Sequence, residues 1–367
     1  MKTEDKIHLK GFRSWAEVDK DRLVHNVKSI HSRVNKDIFA VVKADAYGHG
    51  AAEVSKILQG LKPVRYLCVA TAEEGRELRE AGINSDVLVL GGILPEEVDI
   101  FSSYNLVPVV SDFDQLRLAI NNRIKKVHLK FDTGMHRLGF YPGQLDEIIK
   151  IASGRIHIEG IMSHFPSADT DPEYTQKQIT AFGKIVKQAE KYGIKPRYIH
   201  LQNSAGLEYR CDFCNSVRIG ISIYGEKPSK SFSIPVKTVM SVKAKVITVK
   251  QLKKGERVSY GGTFRAPADM KIAVVAFGYA DGLPRALSNR GYFLFKDRKI
   301  RIIGNVTMDM TIVDVTGLED IKPDDTVTVI GRDREKEIYF EEVASLCNTI
   351  PYEIMCRISK RVKRVIV

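Results

Sequence analysis

Short apolar runs alternate with helical patterns from about residue 38 to residue 225. The runs are "DIFAVVK", "RYLCVA", "DVLVLGG", "LVPVV", "KVHLKFDTG", "IHIEGIMSH", "RYIHLQNS" and "SVRIGISIYG". Many are apolar on both faces, as buried parallel strands are. Between them lie "GAAEVSKILQG", "TAEEGRELREAG", "FDQLRLAINN" and "TQKQITAFGKIVKQAEKYG", with apolar residues three and four apart and frequent stops at glycine, which predicts helices. Eight β/α units in about 190 residues predict a (β/α)8 barrel. Ahead of them, "DKDRLVHNVKSIHSRV" predicts a helix with Leu23, Val27, Ile30 and Val34 on one stripe.

The rhythm changes after about residue 235. "VMSVKAKVITV", "KIAVVAFGY", "KIRIIGNVTMDMTIVDV" and "DTVTVIG" read as strands joined by turns, and only "FEEVASLCNTI" reads as a helix. The tail "CRISKRVKRVIV" alternates basic and apolar residues, as a strand with one solvated face does. The α/β chain therefore divides into a TIM barrel over 12–235 and a mainly β domain over 236–367, with residues 1–11 expected to pack against the latter.

Composition adds limits. A length of 367 residues suits two domains, and 44% hydrophobic residues suffice for full burial. No apolar run approaches a membrane span, and "MKTEDKIHLKGFRSW" has no apolar signal core, so a cytoplasmic protein is expected. The net charge of +12 is spread along the chain. A nucleic-acid partner would call for a concentrated basic face, whereas a small anionic ligand such as a phosphate or carboxylate needs only a few local charges. Of five cysteines, Cys211 and Cys214 form a lone C-x-x-C with no second ligand pair, so no metal is expected and the two read as plain loop thiols.

Barrel chemistry sits at the C-terminal ends of the strands. The first strand ends at Lys43, and the fifth carries Lys130 and runs into Asp132, His136 and Arg137. The sixth delivers His164, the seventh Asn203 and Ser204, and the eighth Arg218 followed by Gly220 and Ile221. A lone lysine at a strand tip usually reaches for solvent. Here it stands beside Tyr47, Ser204 and the backbone near Gly220 and Ile221, a candidate phosphate cradle. A lysine that can form a Schiff base, a phosphate cradle and a partner for a ring nitrogen together describe a pyridoxal phosphate site.

"AVVKADAYGHG" closely resembles the cofactor-lysine segment of bacterial alanine racemases. The likeness continues in order through "KFDTGMHRLGF", "GIMSHF", "QNSAG", "RIGISIYG", "VSYGGTF", "GYADG", "GNVTMDM" and "TIPYEI", nearly the whole chain. The resemblance implies that Lys43 holds pyridoxal 5'-phosphate and acts as the base on one face of the substrate α-carbon. Racemisation needs a second acid–base group on the opposite face. "VSYGGTF" places it at Tyr260, which the resemblance implies comes from the partner subunit of a homodimer. A tyrosine is a poor base unless neighbours favour its phenolate, a task the likeness gives to His164 and Arg218.

By the same likeness Arg218 faces the pyridine nitrogen and keeps it unprotonated, because a guanidinium holds its proton. Arg137 lies near the cofactor phenolic oxygen and the substrate carboxylate. Lys130 matches a position that the family can carbamylate, which would orient Arg137. Tyr47, Ser204, Gly220, Ile221 and Tyr352 are implied for the phosphate, with Asn203 beside them. Met308 and Asp309 are implied for the substrate carboxylate, and Tyr279 for the entrance. Thr307 and Met310 depart from the cysteine and glutamine often found at those positions in relatives.

The implied activity is interconversion of L- and D-alanine, supplying D-alanine for peptidoglycan. Alternatives are a racemase of the same fold for serine, lysine or another amino acid, and a basic amino-acid decarboxylase, which lacks the "VSYGGTF" tyrosine. A non-catalytic cofactor carrier of the single-barrel kind would end near residue 230, and the β domain argues against it.

Overall fold

The structure, a computed structural model, describes residues 11–367, so the expected packing of residues 1–10 lies outside the described residues. The chain forms two compact units, Leu23–Lys237 and residues 11–22 together with Thr238–Val367.

In the first unit eight strands close a barrel in sequence order: Asp37–Val41, Val64–Val69, Asp86–Val89, Val107–Val110, Lys126–Lys130, His157–Met162, Tyr198–His200 and Ser216–Ile219. The last pairs in parallel with the first, so no edge remains. Rings fill the interior. Phe39 lies 4.7 Å from Tyr66, 5.1 Å from Tyr198 and 4.7 Å from His200, centroid to centroid. Toward the strands' N-terminal ends Lys126 Nζ meets Glu159 at 2.9 Å and Asp86 at 3.2 Å, and Tyr66 Oη donates to Glu159. This half-buried polar cluster pairs its own charges around buried Glu159. The outer helices start where the sequence supplies caps. Thr71, Asp112 and Asp171 accept from the backbone N–H groups of Glu74, Gln115 and Tyr174, and Pro172 opens the longest helix, Pro172–Lys191.

In the second unit the strand Met240–Leu252 is central, pairing with Ser14–Val18, Met270–Val275 and Thr326–Asp333. Its first half alternates in burial: Met240, Val242, Ala244 and Val246 point inward between half-exposed Ser241, Lys243 and Lys245. The tail strand Lys363–Ile366 pairs in parallel with Ser14–Val18.

Three expectations need adjustment. The barrel unit begins at Leu23 rather than residue 12, because Trp15, Ala16 and Val18 are buried in the β unit's sheet. "KIRIIGNVTMDMTIVDV" is two strands, Arg298–Arg301 and Thr311–Asp314, with a loop between. Gly304 turns left-handed there, and Thr307 Oγ1 closes a turn by donating to Met310 O at 2.8 Å. A second helix, Pro351–Arg357, follows Phe340–Cys347. Its proline occupies the first helical turn, where a missing N–H costs nothing. Among the described residues no helix is long and apolar enough to cross a membrane, and no acidic, histidine or cysteine cluster could hold a metal ion.

Candidate active site

Lys43 leaves the first barrel strand half-buried, and the chain then does something L-residues avoid. Ala44, Asp45, Ala46 and Tyr47 all take φ between +52° and +54°, a full left-handed turn without glycine. Each such residue costs roughly 1–2 kcal/mol. Specific bonds offset the strain. Ala44 N–H donates to Glu74 at 2.8 Å, and Asp45 accepts from Ala51 N–H at 2.8 Å. Ala46 N–H returns to Val42 O at 2.8 Å. The turn throws Tyr47 inward against Tyr224, ring centroids 5.1 Å apart. Strain held this firmly at a strand tip fixes the position of the residue before it.

Arg218, on the last barrel strand, is buried against the ends of the two strands before it. Its Nη1 donates to His200 Nδ1 at 2.8 Å and His200 O at 2.9 Å. Its Nη2 donates to Ser163 O at 2.6 Å, His164 Nδ1 at 3.0 Å and Leu201 O at 3.1 Å. Burial pushes the guanidinium down to about 10, which leaves it cationic at neutral pH. A guanidinium only donates, so both histidines accept and carry their proton on Nε2. His200 then donates to His128 Nδ1 at 2.8 Å. Burial, then positive neighbours, holds His164 and His200 well below the usual imidazole range and takes His128 to about 3, so all three are neutral. Gly160 makes room for this chain: a Cβ there would lie 2.1 Å from His128 Nδ1. Among the described residues no acceptor meets Arg218 Nε–H, the one edge of the group left to face a ligand.

Positive charge gathers here. Arg218, Lys130, Arg137 and Lys43 all act on His164. Lys130 is buried, and burial followed by Arg137 and Arg218 pushes its amine down to about 8. Asp132 is the nearby counter-charge. Burial raises its carboxyl, but backbone N–H donors at Gly134, His136 and Met135 outweigh that and hold it below its ordinary value. Those bonds, with Tyr174 Oη donating to Gly134 O at 2.9 Å, shape the loop that presents exposed Arg137.

Four of the five phosphate candidates, Tyr47, Ser204, Gly220 and Ile221, lie together. Gly220 N–H donates to Ser204 Oγ at 3.3 Å. A Cβ on Gly220 would sit 2.4 Å from Tyr47 Oη, so only glycine lets the tyrosine and this backbone share the space. Ile221 begins the single 3-10 turn Ile221–Tyr224 beside them. Asn203 is used structurally: Oδ1 accepts from Gly206 N–H at 2.9 Å and Nδ2 donates to Phe165 O at 3.4 Å. A lysine amine, a cationic N–H edge and a small hydroxyl-and-amide cradle fit the aldehyde, ring nitrogen and phosphate of pyridoxal phosphate.

Tyr260, Tyr279, Met308, Asp309 and Tyr352 belong to the other unit. Ser259, at φ +62°, turns the chain so that Tyr260 stands 76% exposed. Its backbone is fixed all the same: Ser259 Oγ donates to Asn305 O at 2.7 Å, and Asn305 Nδ2 to Tyr260 O at 2.8 Å. Tyr279 N–H and Ala280 N–H donate to Thr307 O and Met308 O, each at 3.0 Å, joining two candidate loops. Met308 is 53% exposed. Asp309 is paired with Arg361 at 2.9 Å, and Arg361 also meets Asp281 at 3.3 Å. His200 and His128 escaped the sequence reading, hidden as alternating positions of ordinary strands. Their signal was a polar side chain pointing into a barrel beside an arginine.

A strained lysine turn and a buried cation at the mouth of a closed (β/α)8 barrel, followed by a mainly β domain, define a two-domain barrel enzyme. Family models for the alanine racemase N-terminal domain and the alanine racemase C-terminal domain match residues 18–228 and 239–366. The chain belongs to the alanine racemase family, whose members are isomerases. It is 46% identical to the alanine racemase of Aquifex pyrophilus, over 97% of this chain and 98% of that one. Among solved structures it resembles the alanine racemase of Clostridium difficile 630, at a TM-score of 0.90 and 33% identity over 98% of this chain and 96% of that one. It also resembles that of Bartonella henselae with covalently bound pyridoxal phosphate, at 0.85 and 30% over 97% and 100%.

Proposed function

We propose that the chain interconverts L- and D-alanine by a two-base mechanism with pyridoxal 5'-phosphate at the barrel mouth. The observation that carries the reading is the convergence of Lys43, Lys130, Arg137 and Arg218 around neutral His164. Four cations in one partly buried mouth suit a ligand that brings a phosphate and a carboxylate. When bound, the cofactor supplies the electron sink that makes the substrate α-proton removable.

The side chains do the rest. The Lys43 amine holds the cofactor and moves the α-proton on one face. The Tyr260 phenol of a partner subunit moves it on the other, so each unit of 238–367 serves the barrel of a second copy in a homodimer. Arg218, cationic and committed through both Nη atoms, has no reason to yield a proton to a ring nitrogen at Nε–H. A weaker sink leaves less opportunity for transamination. His164 carries its proton on Nε2, a donor that favours a phenolate brought to it. Tyr47, Ser204, Gly220 and Ile221 hold the phosphate with Tyr352. Arg137, Tyr279 and the 308–309 segment orient the substrate. The Asp309 carboxylate is taken up by Arg361, so the backbone of that segment, not its side chain, suits an amino-acid carboxylate. Lys130, with an amine at about 8, is reactive enough near neutrality to take up carbon dioxide as a carbamate that would orient Arg137. The reaction belongs in the cytoplasm, with D-alanine passing to peptidoglycan.

The test is racemisation of a panel of L-amino acids by the purified protein, with borohydride trapping of the cofactor followed by peptide mapping. Racemisation fastest with alanine and a label on Lys43 are expected. No racemisation of alanine, or a label on another lysine, contradicts the reading.

A further inference from the structure

The chain between Ser204 and Ser216 holds chemistry the racemisation does not use. Cys211 and Cys214 are the first and last residues of a β-turn: Cys214 N–H donates to Cys211 O at 3.2 Å, with Asp212 and Phe213 at the corners. Such a turn keeps its end Cα atoms within about 7 Å, which overlaps the span a disulfide bridges. Both side chains turn to the same side. The two Sγ atoms lie 2.8 Å apart in a hydrogen bond, and both residues are buried. Neighbours hold the turn in this form. Lys36 Nζ donates to Cys211 O at 2.7 Å and to Gln202 Oε1 at 2.8 Å. Gln202 Nε2 donates to Gly206 O at 3.1 Å and Tyr209 O at 2.8 Å. The Phe213 ring lies 6.0 Å from Phe182, anchoring the turn to the longest helix.

We propose that Cys211 and Cys214 are a reversible dithiol–disulfide couple, oxidised by small-molecule disulfides and reduced by dithiols. The bond closes across the turn with little backbone movement. Cys211 is the attacking thiol. Lys36 Nζ, 2.7 Å from Cys211 O, sets a cation beside this thiol, whose pKa is lowered by its contact with Cys214 and by that ammonium against the opposing effect of burial, while burial raises that of Cys214. The Cys211 thiolate attacks one sulfur of the oxidant, forming a mixed disulfide and releasing one thiolate. Cys214 then loses its proton to that thiolate and attacks Cys211 Sγ, which expels the second. Two protein thiols lose two electrons and become one disulfide, and the oxidant becomes two thiols. Cys68 lies buried in the barrel wall, with burial pushing its thiol up to about 12, so it takes no part. Asp212 and Arg210 are exposed on either side of Cys211, so opening of this short surface turn admits the oxidant. Oxidation fixes the loop that returns the chain from Ser204 to the last barrel strand.

The test uses the intact protein equilibrated with oxidised glutathione, alkylated, and digested with trypsin. Cleavage after Arg210 and Arg218 puts both cysteines in one peptide, "CDFCNSVR". The expected product is this peptide lighter by two hydrogens, returned to the dithiol by dithiothreitol. In Cys214→Ser the glutathione adduct should persist on Cys211, whereas Cys211→Ser should leave Cys214 unmodified. A wild-type peptide that stays reduced, or keeps glutathione with no internal bond, overturns the proposal. An adduct that forms on Cys214 in preference to Cys211 overturns the assignment of the attacking thiol.

Discussion

Arg218 in the barrel unit is buried and donates five hydrogen bonds, whereas Tyr260 in the β unit has its backbone pinned and its ring 76% exposed. The same contrast holds more widely. Lys130, Ser204 and Tyr47 are buried, while Tyr279 and Met308 stand out from their unit. A catalytic group must be held to within a fraction of an ångström to be useful. The barrel unit supplies that restraint from its own core. The β unit pins the backbone of Tyr260 and Tyr279 and pairs Asp309 with Arg361, but leaves the Tyr260, Tyr279 and Met308 side chains exposed. Removing a barrel residue should therefore disturb both folding and chemistry, and removing a β-unit residue chemistry alone.

Arg218→Glu should give the largest effect. It removes the donor from His164 and His200 and places an acid where a ring nitrogen could acquire a proton. Racemisation should fall by about a thousandfold or more, with transamination rising against it. A variant that racemises nearly as fast as the parent would break the account of the sink. Tyr260→Phe should come next, lowering racemisation by about a hundredfold or more. Its unfolding free energy should move by no more than about 0.5 kcal/mol, as expected for an exposed ring. A large loss of stability there would erase the contrast between the units.

Gly220→Ala sharpens the barrel side. The new Cβ meets Tyr47 Oη at 2.4 Å, so either the tyrosine or the backbone must move. Urea unfolding should show a loss of about 1–3 kcal/mol, with cofactor binding weakened alongside. Unchanged cofactor affinity would argue against the cradle.

The smallest effect belongs to Lys130. Its folded amine titrates at about 8 against 10.5 in the unfolded chain. Between those values the unfolded chain binds more protons, so this group makes stability rise with pH across that window. Lys130→Met should flatten that part of the stability curve in bicarbonate-free buffer. A curve the substitution does not alter would contradict the burial argument.

The barrel was legible because its strands and helices obey their two periods, and because the polar residues at the strand tips broke the apolar runs in the same place. Other features were hidden for physical reasons. The segment after Lys43 carries glycines at 48 and 50, the residues that take left-handed backbone most readily. Gly48 and Gly50 do take positive φ, yet the left-handed turn itself falls on Ala44–Tyr47, which contains no glycine. Part of its support comes from Glu74, thirty residues away and unmarked in sequence. His128 and His200 looked like ordinary strand positions. The clue was Gly160, a glycine inside an apolar strand, which marks a close approach. The loop 302–310 was hidden in a run of β-forming residues, because Thr307 closes its turn with a hydroxyl that composition reads as strand.

The central claim is that each site is assembled from two chains, and subunit exchange tests it most directly. Lys43→Ala and Tyr260→Ala chains, each inactive alone, are mixed and allowed to exchange. Every mixed dimer then holds one site with both bases and one with neither. At full random exchange half the dimers are mixed, so activity should return to roughly a quarter of the wild-type value per site. Mixed dimers seen by mass spectrometry with no return of activity would show that Lys43 and Tyr260 act within one chain.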